Sequence, residues 1–277
     1  MTKVALSGAS GNMGRILRPE LLKRGVDLRS VGGRTELTPI VEGEDVMNGD
    51  LRDPAMIDRM LEGVDVLIHL AGTSVERPLP EVVENNLIGL AAIYEGARRH
   101  KVKRVIFASS NHAFGMHSVK SKLPLSADFR PDGWYGLSKV WGEAMARMYW
   151  DKHGIEGISI RIGTAFGKPP DNFRLLSTWF GLDDLVRLMM QCITVPNIGY
   201  MPVWACSNND RSYWDNTGAE KLGYKPTQNA EDWAEDILKK PNPLDPIAQQ
   251  YQGGAFVTLD YTPADQRPGG LRPENGK

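Results

Sequence analysis

Lys3-Val-Ala-Leu-Ser7 runs directly into Gly8-Ala-Ser-Gly11-Asn-Met-Gly14, a short β-forming run followed by three evenly spaced glycines and then a helical pattern. Glycines between a strand and a helix let the chain turn tightly and let backbone approach a pyrophosphate. The helix N-terminus then offers unpaired N–H groups and the positive end of its dipole. A plain β-to-α turn uses the same residues, so the decision rests on the chain beyond Gly14. The βαβ pattern there favours a dinucleotide site in which Gly8, Gly11, Asn12, Met13 and Gly14 meet the phosphates.

Outward from this turn, apolar runs alternate with helical patterns. Strands are predicted at Val4–Ser7, Asp27–Val31, Glu44–Asn48, Val64–Leu70, Arg104–Ala108 and Gly157–Ile162. Their nearly unbroken apolar character is that of strands covered on both faces, which predicts an α/β, Rossmann-like, doubly wound parallel sheet. A helix is read after Asp53, an N-cap followed by Pro54, with longer ones at about Leu79–His100 and Gly133–His153. Pro19 falls inside the first helix, where it should kink or shorten it. Past Ile162 the alternation becomes irregular and holds Trp179, Trp204, Trp214 and Trp233. The expected division is therefore a dinucleotide-binding domain over 1–162, a smaller substrate-side region over 163–261, and a mobile Pro/Gly-rich tail over 262–277.

Composition narrows the class. The 277 residues carry 33 basic and 34 acidic side chains, a formal charge of -1, with 41% hydrophobic and 24% charged residues. Nothing in that balance calls for nucleic acid or an anionic membrane as partner. The longest mainly apolar run, Val64 to Gly72, contains Asp65 and His69 and is far shorter than the roughly 18–20 residues of a membrane span. The immediate start of the first strand leaves no room for a signal peptide. Cys192 and Cys206 support neither a disulfide framework nor a metal site. A cytoplasmic, metal-free protein is expected.

At the end of the second strand, where an Asp or Glu usually accepts the adenosine ribose hydroxyls of NAD, the sequence reads Val31-Gly32-Gly33-Arg34. Without a carboxylate at Gly32 and with Arg34 to pair with a 2′-phosphate, the chemistry favours NADP, with NAD as the alternative. A solvated Arg34, with Glu36 on the ribose, is the competing reading. Asp50 and Leu51 after the third strand are placed near adenine or at a helix cap.

Tyr135-Gly-Leu-Ser-Lys139 sets a phenol and an ammonium one helical turn apart on one face. A nearby cation favours the phenolate and draws the phenol down from about 10, as a general base requires. Ser110 ends a strand where a Rossmann sheet exposes its crevice, within hydrogen-bonding range of a reacting oxygen. Asn86 is read as a buried amide that organises its helix and a proton-relay water, or as a structural helix-to-strand hydrogen bond.

Together with His69-Leu-Ala-Gly72, these features resemble the extended short-chain dehydrogenase/reductase superfamily of the NAD-dependent epimerase/dehydratase type. A narrower resemblance, to the uronate dehydrogenases, rests on Gly72-Thr-Ser-Val-Glu76, Ser109-Ser-Asn-His112, Tyr135-Gly-Leu-Ser-Lys-Val-Trp-Gly-Glu143, Ala146-Arg-Met-Tyr149, Arg161-Ile-Gly163, Arg174-Leu-Leu-Ser-Thr-Trp-Phe180 and Tyr251-Gln-Gly-Gly-Ala-Phe256. That resemblance implies oxidation of C1 of glucuronate or galacturonate to an aldarolactone, with hydride passing to a nicotinamide. It implies Ser110, Tyr135 and Lys139 as the catalytic set and Ser74, Asn111, His112, Thr164 and Arg174 around a sugar acid. It also places Leu70, Ala71, Gly72, Asn86 and Ile162, with Tyr135 and Lys139, against the cofactor.

Two positions depart from the family pattern: Gly32 replaces an acidic residue, so NAD use does not carry over, and Thr164 replaces a serine. Physically, a guanidinium at Arg174 suits a carboxylate because it gives two parallel charge-assisted hydrogen bonds. A surface loop arginine is its plain alternative, and for His112 it is a polar lining role. The competing functions are a dehydrogenase of neutral or phosphorylated aldoses, an NDP-sugar epimerase or dehydratase, and a non-catalytic NADP-binding regulator. Only about 100 residues lie beyond the nucleotide-binding part, which favours a free sugar over a nucleoside-diphosphate sugar. A homo-oligomer is expected.

Overall fold

The computed structural model describes residues 2–33, 35–165 and 167–268. Seven parallel strands form one sheet in the order β3-β2-β1-β4-β5-β6-β7. They are β1 Lys3–Ser7, β2 Asp27–Gly32, β3 Asp45–Asn48, β4 Val66–His69, β5 Arg104–Ser110, β6 Glu156–Ile162 and β7 Tyr200–Ala205. The order reverses between β1 and β4, and that reversal opens a crevice outside the carboxyl ends of the strands. The seventh strand is not among those predicted from the sequence. Its Tyr-Met-Pro-Val-Trp-Ala run carries Pro202, and a proline argues against a strand unless that strand lies at a sheet edge, as β7 does.

Alternate side chains of each strand enter different layers. Val4 and Leu6 of β1, Val66 and Ile68 of β4 and Ile106 of β5 pack in one core with α1 (Asn12–Lys23) and α7 (Leu182–Thr194). Ala5, Leu67, Val105 and Phe107 pack in the other, with α2 (Pro54–Leu61), α4 (Gly89–Arg99) and α5 (Trp134–His153). Asp53 caps α2 as expected, accepting from Ala55 N at 2.9 Å.

The long helix read over Leu79–His100 is three pieces: α3 (Leu79–Val82), a π-helical stretch Val83–Ile88, and α4. π-Helical turns recur at functional sites, and this one carries Asn86. Helix α1 continues through Pro19 to Lys23. The proline ring lies on the exposed side, so the helix loses one hydrogen bond and no packing. Smaller elements, α6 (Leu175–Thr178) and α8 (Ala234–Leu238), share a core of Leu175, Leu176, Trp179, Ala230, Ala234 and Ile237 at the far end of the crevice.

Candidate active site

The glycine turn is built for close approach. Gly8 has φ +75°, and a Cβ there would lie 2.7 Å from Ala71 N; one on Gly14 would lie 2.3 Å from Gly8 O. The turn therefore packs on the Leu70–Gly72 segment that leaves β4, bringing together two groups of residues the sequence assigned to the cofactor. Helix α1 has Gly11 as its N-cap, with no side-chain cap and no acidic residue in its first turn. That leaves its exposed N-terminus open to an anion.

Further out, Gly32 is buried against Asn48 and Leu37; a Cβ on it would meet Asn48 Oδ1 at 2.5 Å. Asn48 in turn brackets Leu37, accepting from its N at 2.8 Å and donating to its O at 2.9 Å. Arg34, the basis for choosing NADP from the sequence, lies outside the described residues. Asp50 is not a helix cap: its carboxylate pairs with Arg52 at 2.6 Å, and Leu51 is half-buried against the core.

Asn86 resolves toward the structural reading. Its Oδ1 accepts from Thr73 N at 2.8 Å, and its Nδ2 donates to Thr73 O and to Ser138 Oγ, both at 2.9 Å. With both amide protons and one lone pair committed, its side chain ties the β4 exit to α5. Beside it is a cavity of about 10 Å³ lined by His69, Asn86, Phe107, Ser138 and Lys139, enough for about one water molecule. Burial, reinforced by Lys139, pushes His69 down to about 3, so it is a neutral partner of Ser7 (2.8 Å).

The catalytic candidates meet at the carboxyl end of β5. Ser110 ends the strand and caps the next turn, accepting from His112 N at 3.2 Å. Tyr135 and Lys139 lie on α5, with the ammonium 5.2 Å from the phenol ring centre. A buried knot beneath them sets the alignment. Glu143 accepts from Ser109 Oγ at 2.6 Å and from Arg161 at 2.9 Å, joining α5, β5 and β6. A second tie is longer in sequence: Glu76 accepts from Trp134 N and Tyr135 N, both at 2.9 Å, and so caps the α5 N-terminus that lacks a local cap.

Electrostatics here run opposite to the sequence expectation. Burial pushes Tyr135 up to about 12, against a hydrogen bond with Ser110 that lowers it, and Asp132 adds to the rise. Burial also pushes Lys139 down to about 8. Both groups are driven toward their neutral forms because desolvation acts on each.

Across from them opens a cavity of about 440 Å³. His112, Thr164, Arg174 and Phe256 are among its lining residues. Arg174 is half-buried in its wall, not a free loop residue. It donates to Gln252 O at 3.0 Å and Thr164 Oγ1 at 3.3 Å. With the Asn111 amide oriented to satisfy both its ends, Oδ1 accepts from Arg174 at 2.6 Å and Nδ2 donates to Ile162 O at 3.0 Å. Of the five guanidinium protons, two are left without a partner among the described residues, one on each terminal nitrogen. Burial lowers the Arg174 pKa from its ordinary value, with Tyr213 and Asp132 opposing. Ser74 is exposed and outside the cavity lining. Asp132, Gln252 and Phe256 carry no role in the sequence reading. The Tyr251–Phe256 string holds two of them, but no local spacing says that it folds back over His112.

A family model described as the NAD dependent epimerase/dehydratase family matches residues 4–180. The chain belongs to that family. A uronate dehydrogenase of Pseudomonas syringae pv. tomato is 43% identical, over 92% of this chain and 93% of the relative. Among solved structures, a tyrosine-to-alanine mutant of uronate dehydrogenase from Agrobacterium tumefaciens, complexed with NAD, is 39% identical with TM-score 0.87, covering 93% of this chain and 97% of that one. The glucuronic acid dehydrogenase from Chromohalobacter salexigens is 36% identical with TM-score 0.88 over the same shares. The resemblance drawn from the sequence strings is borne out along most of the chain, and so is the Rossmann-like fold.

Proposed function

We propose that this chain oxidises C1 of a hexuronate, glucuronate or galacturonate, to the aldarolactone, using a nicotinamide dinucleotide. The observation that carries the reading is Arg174: a half-buried guanidinium with two N–H groups left over, in the wall of the cavity that His112 also lines. Two such groups suit the C6 carboxylate. The related uronate and glucuronic acid dehydrogenases support the same choice. His112 and Thr164 take the sugar hydroxyls, with Asn111 behind them holding Arg174 and Ser74 at the rim.

When bound, the nicotinamide supplies the acceptor for the hydride that leaves C1. Tyr135 takes the proton of the C1 hydroxyl as the carbonyl forms, and Ser110 holds the same oxygen. Lys139, whose ammonium lies 5.2 Å from the phenol ring centre, favours the phenolate when it is itself charged. Activity in the oxidative direction should therefore rise with pH. The uncapped α1 terminus and the Gly8–Ala71 contact fit a pyrophosphate, with Leu70, Ala71 and Gly72 beside it and Ile162 near the nicotinamide end. For the cofactor itself we favour NADP, because Gly32 has no carboxylate to repel a 2′-phosphate and Arg34 stands two residues on. The NAD complex of the related enzyme supports NAD instead.

A panel of uronates, neutral aldoses and sugar phosphates against both cofactors tests this directly. Uronates should lead; preference for a neutral or phosphorylated aldose would sink the assignment. We place the protein in the cytoplasm, its two cysteines free and buried, and keep the division near residue 162 as a functional one, since β7 beyond it completes the same sheet. Residues 269–277 of the expected mobile tail lie outside the described residues. The exposed row Trp134, Leu137, Trp141 and Met148 along α5 supports a homo-oligomer; a monomer in sedimentation velocity at micromolar concentration would count against it.

A further inference from the structure

Asp132 takes no part in the transfer of proton or hydride, yet it is seated with unusual care. Its side chain is fully buried, and Oδ2 lies 2.7 Å from His112 Nδ1. Three glycines from separate segments make the room: a Cβ on Gly115 would fall 1.8 Å from Oδ2, one on Gly253 2.0 Å from Oδ2, and one on Gly136 3.0 Å from Oδ1. Oδ1 finds no partner among the described residues. A buried carboxylate in a site that is to bind an anion works against binding, and Asp132 already acts electrostatically on both Tyr135 and Arg174. Such a charge calls for a compensating role.

We propose that Asp132 is a positioning residue of the sugar site: its carboxylate fixes His112 in the Nδ1–H tautomer, so that Nε2 turns an acceptor lone pair toward a hydroxyl of a polyhydroxy substrate. This rests on reading the cavity as the sugar site. An ionised carboxylate only accepts, so the Nδ1 that meets it carries the proton, and the neutral ring is left with a bare Nε2. The ring cannot swing away. It is stacked on Phe256 at 3.9 Å between centres and set edge-on to Tyr135 at 5.7 Å, while its backbone N–H is held by Ser110. Among the described residues Nε2 has no protein partner, and His112 lines the cavity. Among the described residues, the charged groups that share the cavity lining with it are Lys168, Asp171 and Arg174, and Tyr135 stands edge-on to the ring with Lys139 behind the phenol. Nε2 thereby complements Arg174, offering an acceptor where the guanidinium offers donors.

The test is nitrogen NMR on the full chain carrying imidazole-¹⁵N histidine, saturated with cofactor, at a pH where His112 is neutral. Wild-type His112 should show a protonated Nδ1 and a pyridine-like Nε2; the opposite tautomer overturns the proposal without any variant. Asp132→Asn should shift the tautomer populations and raise KM for the uronate about tenfold, with a smaller change in kcat and no change in cofactor Kd. Unchanged tautomer and KM would overturn the proposal. In a His112→Gln background Asp132→Asn should add nothing to KM; an equal loss there would make Asp132 a packing residue only. Absence of uronate turnover in the wild type would instead sink the functional reading, leaving the tautomer result to stand by itself.

Discussion

On the nucleotide side of the crevice, residues 8–14 present backbone, with glycines packed so closely that a single Cβ on Gly8 or Gly14 would clash. The sugar side presents side chains instead. Arg174 is tied to Asn111 and Thr164, and His112 to Asp132, in two hydrogen-bonded groups drawn from several segments of the sequence. A backbone cradle recognises a group common to all dinucleotides and tolerates no side chain, whereas a side-chain network recognises one substrate and can be altered a residue at a time. The first is fixed by local chain geometry. The second depends on tertiary packing for every one of its contacts.

Substitutions should separate the two sides, and the widest separation is expected at Tyr135. Removing its hydroxyl as Tyr135→Phe should cut kcat by about 10²- to 10⁴-fold while cofactor Kd, read by protein fluorescence, stays put. Retention of more than a small fraction of turnover would remove the phenol from the chemistry. Next comes Arg174→Ala, expected to cost about 10- to 150-fold in kcat/KM for a uronate, on the scale of a hydrogen bond between charged groups. A neutral sugar should feel it far less. Equal losses on both would mean that the tie to Gln252 and Asn111, not the substrate carboxylate, is what the guanidinium serves.

The smallest effect is expected on the nucleotide side. Gly32→Asp with Arg34→Ser should swing the ratio of kcat/KM values toward NAD by about tenfold. The new Cβ would collide with Asn48 Oδ1, so the variant should also lower Tm, and Asn48→Ser should restore part of it. Wild-type protein that already favours NAD, or Arg34→Ser that leaves KM for NADP unchanged, would remove Arg34 from the cofactor site.

Legibility followed the same division. The strand–glycine turn–helix unit, the Tyr135–Lys139 spacing and the Asp53 cap were readable because each is decided within a few residues. Strand β7 escaped because its proline is acceptable only at a sheet edge, a fact of topology. Glu76 and Asp132 escaped because a carboxylate that caps a helix 58 residues away or orients an imidazole 20 residues away leaves no periodic trace. The direction of the Tyr135 and Lys139 shifts escaped for another reason: spacing reports which charges are neighbours, and burial is settled only by the fold.

The Ser109–Glu143–Arg161 knot lies beneath the crevice, with all three residues almost wholly buried. It registers Ser110 against Tyr135 without reaching into the sugar cavity. The loops that carry Arg174 and Phe256 can thus diverge while the proton-handling geometry is inherited intact. Descendants of such a fold can change diet without relearning chemistry.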